Sequence, residues 1–183
     1  RESSSRETAK PGALPSPLTE HPPVTSRISL GSPALSVHSA TAVEMPDGTI
    51  RAYWFGGSRE GASDVAIWTA DFVNGNWSVP RVAVNRGLVA QRTRRYIRKL
   101  GNPVAHVDEN GEVTLFVVSV SFGGWSGSAI NRLVFAPDGK RLVSVNRLVA
   151  SPLLNLGTLV RGAAVSEGSG QVLLPAYHEM VKK

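Results

Sequence analysis

The chain has 183 residues, 20 Lys and Arg against 14 Asp and Glu, and no cysteine. This length suits one domain or part of a larger one, and a hydrophobic content of 42% argues against global disorder. The composition excludes a disulfide scaffold, a thiolate metal site and a cysteine nucleophile, and the lack of an apolar run of ~18 residues excludes a transmembrane helix.

Residues 1–30 are rich in Ser, Pro, Thr and charged residues and have no periodic apolar pattern. Such a segment cannot bury enough apolar surface to offset the entropy lost on ordering. We expect a disordered or linker-like tail here, with the folded domain over residues 31–183. The tail also lacks the basic-then-apolar form of a signal peptide, so we expect that any export signal was removed or was never present.

The rest of the chain consists of short segments rich in Val, Ile, Thr and aromatic residues, with partial alternation of apolar and polar positions. This pattern is typical of β-strands. No segment has a long apolar stripe of 3.6-residue period with capping residues, so we predict an all-β antiparallel protein. The predicted strands are 35–45, 49–57, 64–72, 77–84, 102–108, 112–122, 128–136, 142–150, 158–165 and 171–177.

Turn sequences separate these strands, as in PDGT (46–49), VNGN (73–76), ENGE (109–112) and PDGK (137–140). Asp-Gly and Asn-Gly supply the positive-φ positions that tight hairpin turns need. These turns therefore predict hairpins between neighbouring strands.

The predicted strands fall into three groups, over residues 35–84, 102–150 and 158–177. The first two groups contain four strands each and share an Asp-Gly or Asn-Gly turn before their second strand. Repeated four-stranded units predict a β-propeller, here with about two and a half blades. A β-sandwich of about ten strands is the alternative. An incomplete ring leaves its edges uncovered, so we expect the missing blades of the same propeller as a partner.

The net charge of +6 is concentrated in QRTRRYIRKLGNP (91–103), where Tyr96 is the single aromatic residue. A nucleic-acid-binding face usually needs a broader basic stripe with several stacking aromatics. We therefore expect no nucleic-acid partner, and we predict a solvated or anion-facing loop.

Common catalytic and metal-binding motifs are missing from the sequence. It contains no HExxH, P-loop or GxGxxG, its histidines lack metal-ligand spacing, and Ser126 is not in a GxSxG elbow. We expect no metal, no cofactor and no membrane partner.

Two segments resemble the Asp-box turns of sialidase-type propellers. TADFVNGNW (69–77) has Asp71, Gly75 and Trp77, and FAPDGKRL (135–142) keeps the Asp-Gly pair but lacks the tryptophan. Three longer segments resemble sialidase hairpins in the family's order: YWFGGSREGASDVAIW, LGNPVAHVDENGEVTLFVV and RGAAVSEGSGQVLLPAY. The chain thus resembles the N-terminal half of a six-bladed, bacterial sialidase-like protein of the BNR/Asp-box class.

This resemblance implies exo-hydrolysis of a terminal sugar, with an acidic sugar favoured, and a secreted or periplasmic location. Enzymes of the family hold a carboxylate with three arginines, and an acidic side chain protonates the leaving oxygen. Their tyrosine nucleophile and its glutamate lie in blades four to six. We therefore expect the chain alone to be inactive on sugars. A non-catalytic propeller that binds glycans or proteins is the alternative.

Two residues of one loop match family positions that do chemistry. Arg59 matches the second triad arginine, and Asp64, five residues later, matches the general acid/base. Glu60 is a second candidate carboxylate. The alternatives are a surface arginine paired with Glu60, and an aspartate that caps the loop by accepting backbone N–H bonds.

Four further residues are candidates for the substrate pocket. His38 lies near the position of the family's first triad arginine, and it lacks the guanidinium fork, which leaves room for another acidic or neutral sugar. The alternative there is a strand-end histidine. Asn102, Tyr177 and Glu179 match pocket-lining segments, with packing or exposed chain as the alternatives. Trp125 could stack on a sugar or pack against the fold.

Overall fold

The computed structural model describes residues 27–28, 34–150, 155–167 and 170–179. The predicted tail therefore lies outside the described residues, except for 27–28. The elements, in chain order, are β1 (Ser36–Glu44), β2 (Ile50–Gly57), β3 (Ala66–Val73), β4 (Asn76–Trp77), β5 (Arg81–Val84), α1 (Arg86–Thr93), β6 (Lys99–Val107), β7 (Val113–Val120), a 3₁₀ turn (Trp125–Gly127), β8 (Ser128–Phe135), β9 (Leu142–Arg147), β10 (Thr158–Val160), β11 (Val165–Ser166), β12 (Val172–Leu173) and β13 (Ala176–His178).

The first sheet is antiparallel, with the order β1-β2-β3-β4 and with β5 also paired to β3. It has five strands where four were predicted, because the predicted strand 77–84 is divided into β4 and β5. Pro80 lies in the gap, and a proline has no N–H to donate to a ladder. The β3–β4 turn is the predicted Asn-Gly hairpin, with positive φ at both Asn74 and Gly75.

The second sheet has the order β6-β7-β8-β9 and contains the four strands predicted for this region. β6 begins at Lys99, three residues before its predicted start. Its register with β7 shifts between Leu100 and Pro103, and a bulge of this kind accommodates a proline within a strand.

The third unit is a single irregular hairpin. β10 pairs with β13, and β11 pairs with β12, as two short antiparallel ladders. The interruption lies where Gly162 faces Pro175, so that a Cβ at Gly162 would lie 3.4 Å from the proline ring. The two strands predicted here, 158–165 and 171–177, therefore do pair, but in four short pieces.

Helix α1 corrects the prediction that the basic segment forms only a loop. Asn85 caps the helix by accepting a 2.8 Å hydrogen bond from the Leu88 N–H, and the helix ends at Arg94 in the left-handed region. Val89 is its one buried residue, so the sequence has no apolar stripe from which a helix could be predicted. The all-β antiparallel architecture is confirmed around this one short helix.

The sheets pack in series through alternating side chains. Ile67 and Leu100 belong to the core between the first and second sheets, which also takes up Val89 of α1. Phe116 and Leu159 belong to a second core between the second sheet and β10. β7 is thus buried on both faces and β8 is buried except at Arg132, whereas β9 at the edge of this sheet has no fully buried residue.

The hairpin connections divide between two edges of this stack. The β1–β2, β6–β7 and β8–β9 turns lie together on one edge, since a Cβ at Gly111 would lie within 3.5 Å of both Pro46 and Pro137. We call this the turn edge. The β2–β3 and β7–β8 loops lie at the other ends of the same strands, and we call that side the loop edge.

Candidate functional site

All seven predicted site residues lie at or near the loop edge. The β2–β3 loop carries three of them, β1 and β6 each carry one near their N-terminal ends, and the last two lie at the end of the third hairpin. The Glu179 N–H donates to the Gly157 carbonyl at 2.8 Å, which fixes that hairpin end beside the start of β10. The residues are His38, Arg59, Glu60, Asp64, Asn102, Tyr177 and Glu179.

Asp64 closes the β2–β3 loop by accepting two hydrogen bonds from Ser58. The Ser58 N–H donates to Oδ2 at 2.9 Å, and the Ser58 hydroxyl donates to Oδ1 at 3.0 Å. These bonds, with a smaller contribution from the charge of Arg59, hold the pKa of Asp64 below its ordinary value of 3.8. Without substrate, the exposed carboxylate of Asp64 is therefore ionised and hydrogen-bonded within its own loop.

The loop closes tightly because a glycine precedes it. A Cβ at Gly57 would lie 2.9 Å from the Cα of Val65, so a larger residue would push the two loop ends apart. Glycine here brings Ser58 within hydrogen-bond distance of Asp64. The local sequence thus sets the position of the carboxylate.

Arg59 and Glu60 do not pair with each other. Among the described residues, the one ion pair within 4 Å is Arg51–Asp71, on the turn edge. Glu60 acts instead on Lys99, whose pKa is lowered by burial and by Arg98 and is raised in part by Glu60. The Arg59 guanidinium is thus exposed and forms no ion pair within 4 Å with any described acidic residue, although its charge has a smaller effect on Asp64.

His38 is held as a strand-end side chain. Its ring stacks on Phe55 with the centroids 5.3 Å apart, and its Nε2 lies 3.0 Å from the Ser36 hydroxyl. A bulge follows it, with Ser39 at φ 51. His38 lines a cavity of about 440 Å³ that Arg59 does not reach, so these two candidates are not brought into one recess.

Asn102 of β6 links the first strands of the other two units, β1 and β10. Its Oδ1 accepts a 2.8 Å hydrogen bond from the Ser39 hydroxyl, and its Nδ2 donates to the Val160 carbonyl at 3.2 Å. Both polar groups of the side chain are thereby engaged between β1, β6 and β10. This geometry corresponds to the packing interpretation, whereas Tyr177 and Glu179 are exposed at the hairpin end.

Trp125 packs against the fold. A Cβ at Gly101 would lie 2.8 Å from the indole, and Lys99 Nζ lies 3.9 Å from the ring centroid. The cation stacks on the indole face, which positions Lys99 beside the β2–β3 loop. Its contacts therefore correspond to packing against the fold, the alternative to stacking on a sugar.

Sequence reasoning missed a basic recess beside the β2–β3 loop. Arg59, Arg86 and Arg98 line it together with Tyr96, and its volume is about 370 Å³. The basic segment that contains Tyr96 and Arg98 indicated part of this recess, since the sequence predicts a solvated or anion-facing loop there. No sequence feature indicated that Arg86 would lie beside it, because Arg86 belongs to a helix that was not predicted.

The two Asp-box-like segments lie on the turn edge, away from these residues. Asp71 pairs with Arg51, and Asp138 accepts the N–H groups of Lys140 and Arg141 at 2.8 and 3.0 Å. Asp138 therefore stabilises its own turn, and Asp71 links β3 to β2 through Arg51. Within the described ranges, no group of three or more acidic or histidine side chains could hold a metal, and no helix is long and apolar enough to span a membrane.

Comparison with known protein families shows that residues 48–183, well over half of the chain, match the BNR repeat-like domain. This match confirms the resemblance to the BNR/Asp-box class that the sequence indicated. No curated protein matches the chain.

Proposed function

The chain belongs to the BNR repeat-like domain family, and from this premise we propose that it is part of a sialidase-like exo-glycosidase. BNR-repeat domains occur in sialidase-like glycosidases. In this proposal the stacked sheets are blades of a propeller, and the substrate is a glycoconjugate with a terminal sugar, preferably an acidic one. The site lies at the loop edge, where the candidate residues collect.

The observation that carries the proposal is the position of Arg59 and Asp64. They share one exposed loop, at the end of the sheets opposite the Asp-box-like turns. A guanidinium fork binds a planar carboxylate with two parallel hydrogen bonds. Arg59 would thus hold the acidic group of the sugar, while Asp64 would protonate the leaving oxygen and later activate water.

Asp64 must gain a proton before it can act as an acid. Its bonds with Ser58 favour the ionised form, whereas a substrate carboxylate nearby and the loss of water would both favour the protonated form. We infer that substrate binding releases Asp64 from Ser58 and raises the pKa of its carboxyl group. This places Ser58 as a positioning residue for the acid/base.

Further blades would complete the ring. Ala52, Trp54 and Ala70 form an apolar cluster on the face of the first sheet that points away from the second sheet, with Trp68 and Trp77 packed against it. At the border of this sheet, Val37 and Val82 are 41% and 44% exposed. The cluster itself is buried, with Ile28 also packed against it, so a neighbouring blade of the same propeller would cover the exposed valines at its border. The further blades would supply the nucleophile.

The test is Asp64→Asn in a protein with the complete ring. Hydrolysis of a fluorogenic α-linked sialoside should fall by about 10²–10⁴-fold, the usual contribution of a general acid. Asp47→Asn is the matched control, because Asp47 also caps a turn but lies on the turn edge. A rate within twofold of the unmodified protein for Asp64→Asn would refute the assignment.

A non-catalytic glycan-binding propeller is the second candidate function. The double hydrogen bond between Ser58 and Asp64 favours it, because a loop cap uses the carboxylate without chemistry. In that case the complete ring would bind the sialoside without turning it over, and Asp64→Asn would leave the affinity unchanged. Turnover by the unmodified protein decides between the two functions.

A further inference from the structure

The basic recess at the loop edge collects three guanidinium groups from three separate segments. Arg59 comes from the β2–β3 loop, Arg86 is the first residue of α1, and Arg98 directly precedes β6. Tyr96 and residues 61–63 complete the lining. Only the packing of α1 and the first sheet against the second brings these arginines together.

The positive charge in the recess is not neutralised by the described residues. None of the three guanidinium groups has an acidic side chain within 4 Å, since the one such ion pair is Arg51–Asp71. Of the two acids of the β2–β3 loop, Asp64 accepts from Ser58 and interacts with the charge of Arg59 only as a smaller effect, and the charge of Glu60 acts on Lys99. Three positive charges that line one recess favour the binding of an anion.

We propose that this recess binds a sugar that carries a sulfate or phosphate monoester. A monoester presents three terminal oxygens, which three guanidinium forks can contact, whereas a carboxylate presents two. The volume of about 370 Å³ exceeds the size of the anion alone and lies within the usual range of ligand pockets, about 300–1,000 Å³. The recess therefore has room for part of the sugar ring.

An aromatic pair beside the recess supports a sugar as the ligand. The rings of Tyr96 and Phe122 lie 5.6 Å apart, and the two side chains are 58% and 74% exposed. They also line a neighbouring cavity of about 520 Å³, so that Tyr96 is the wall between the two. Exposed aromatic faces of this kind can cover the C–H face of a pyranose.

This inference goes beyond the proposed hydrolysis, because Arg86 and Arg98 lie outside the loop that carries Arg59 and Asp64. Its test therefore measures binding and not turnover. Calorimetric titration at low ionic strength would compare galactose 6-sulfate, glucose 6-phosphate, unsubstituted galactose and inorganic sulfate. We expect both esters to bind at least several-fold more tightly than inorganic sulfate, and galactose not to bind detectably.

The decisive variant is Arg86→Gln combined with Arg98→Gln. Its affinity for galactose 6-sulfate should fall by at least about tenfold, the effect of losing one charge-assisted hydrogen bond. Arg92→Gln with Arg132→Gln is the matched control, because it changes the net charge equally at arginines that do not line the recess. Asp47→Asn should leave this affinity unchanged, because Asp47 lies on the turn edge and does not line the recess.

Three results would overturn the proposal. Equal weakening by the two double variants would mean that net charge alone attracts the ester. Equal binding of inorganic sulfate and of the sugar esters would mean that the sugar contributes nothing. Tighter binding of a single-stranded oligonucleotide, lost in the Arg86 and Arg98 variant, would assign the recess to nucleic acid. The single variant Arg98→Gln provides the same comparison if the double variant fails to fold.

Discussion

Arg51 is the one charged side chain that is buried among the described residues. Its Nε donates to Asp71 Oδ1 at 2.6 Å, and its Nη1 donates to the Pro137 carbonyl at 3.2 Å. A Cβ at Gly139 would overlap the guanidinium, so glycine is required for this approach. One arginine thus joins the first sheet to the β8–β9 turn of the second.

We predict that Asp71→Asn destabilises the chain by about 3 kcal/mol, because it leaves a buried guanidinium without its counter-charge. Burial alone would lower the pKa of Arg51, and the bond with Asp71 raises it instead. Denaturant unfolding measures the change. The double variant Arg51→Met/Asp71→Leu should lose less stability than Asp71→Asn, and a larger loss would contradict this account of the pair.

Ser58 offers a test of how the loop controls Asp64. Ser58→Ala removes the hydroxyl bond and keeps the backbone bond, so the pKa of Asp64 should rise part of the way toward 3.8. Because this pKa is lowered in the folded chain, the bonds stabilise the loop above pH 3.8 and lose their effect as the pH falls. Carboxyl ¹³C shifts measured across a pH titration report the change.

Asp47 is the internal control in that titration. Its pKa is also lowered by hydrogen bonds, but these come from Thr49 on the turn edge. Its titration should therefore be the same in Ser58→Ala and in the unmodified chain. An unchanged pKa for Asp64 would show that the serine hydroxyl does not hold the carboxylate.

At the scale of the elements, α1 depends on both its packing and its cap. Val89 is fully buried and Leu88 and Ala90 pack against the same core, whereas a helix of eight residues is too short to be stable by itself. We predict that Asn85→Ala costs about 1 kcal/mol, since the Leu88 N–H loses its acceptor. Asn85→Asp retains an acceptor and should restore most of this loss in denaturant unfolding; equal losses would contradict the capping role.

Most strands were predictable because they are held by local signals. The Asn-Gly pair at 74–75 fixes a hairpin whatever surrounds it, and β7 has the Val-rich composition of a buried strand. The interruption between β4 and β5 could also have been predicted, because Pro80 has no backbone N–H to donate to the sheet. Helix α1 was not predictable, because one capping asparagine without an apolar stripe is a weak signal.

The candidate site was predictable only where its residues are neighbours in sequence. Asp64 and Arg59 share a loop, so their proximity follows from the hairpin. Arg59, Arg86 and Arg98 come from different segments, and their convergence depends on how the sheets stack. A single sequence does not specify that packing, and so the recess could not be derived from it.

On the scale of the whole molecule, burial decreases from the second sheet toward the third hairpin. All eight residues of β7 are buried, because cores lie on both faces of that sheet. In β11 and β12 every residue is exposed, and each strand has only two residues. Since local opening is opposed mainly by buried apolar contacts, the two regions should differ greatly in opening free energy.

We therefore predict two classes of backbone amide in hydrogen exchange. The Leu115 amide in β7 should exchange only on global unfolding, whereas the Glu167 amide, which donates to the Gln171 carbonyl at 3.0 Å, should exchange through local opening of the hairpin and orders of magnitude faster. Val117→Ala in β7 should lower the global stability by about 1–3 kcal/mol and speed exchange in β7. Exchange at Glu167 should stay unchanged in this variant, because local opening does not break the central core. Equal protection of the two amides, or their parallel acceleration in Val117→Ala, would instead mean that the third hairpin unfolds as one unit with both sheets.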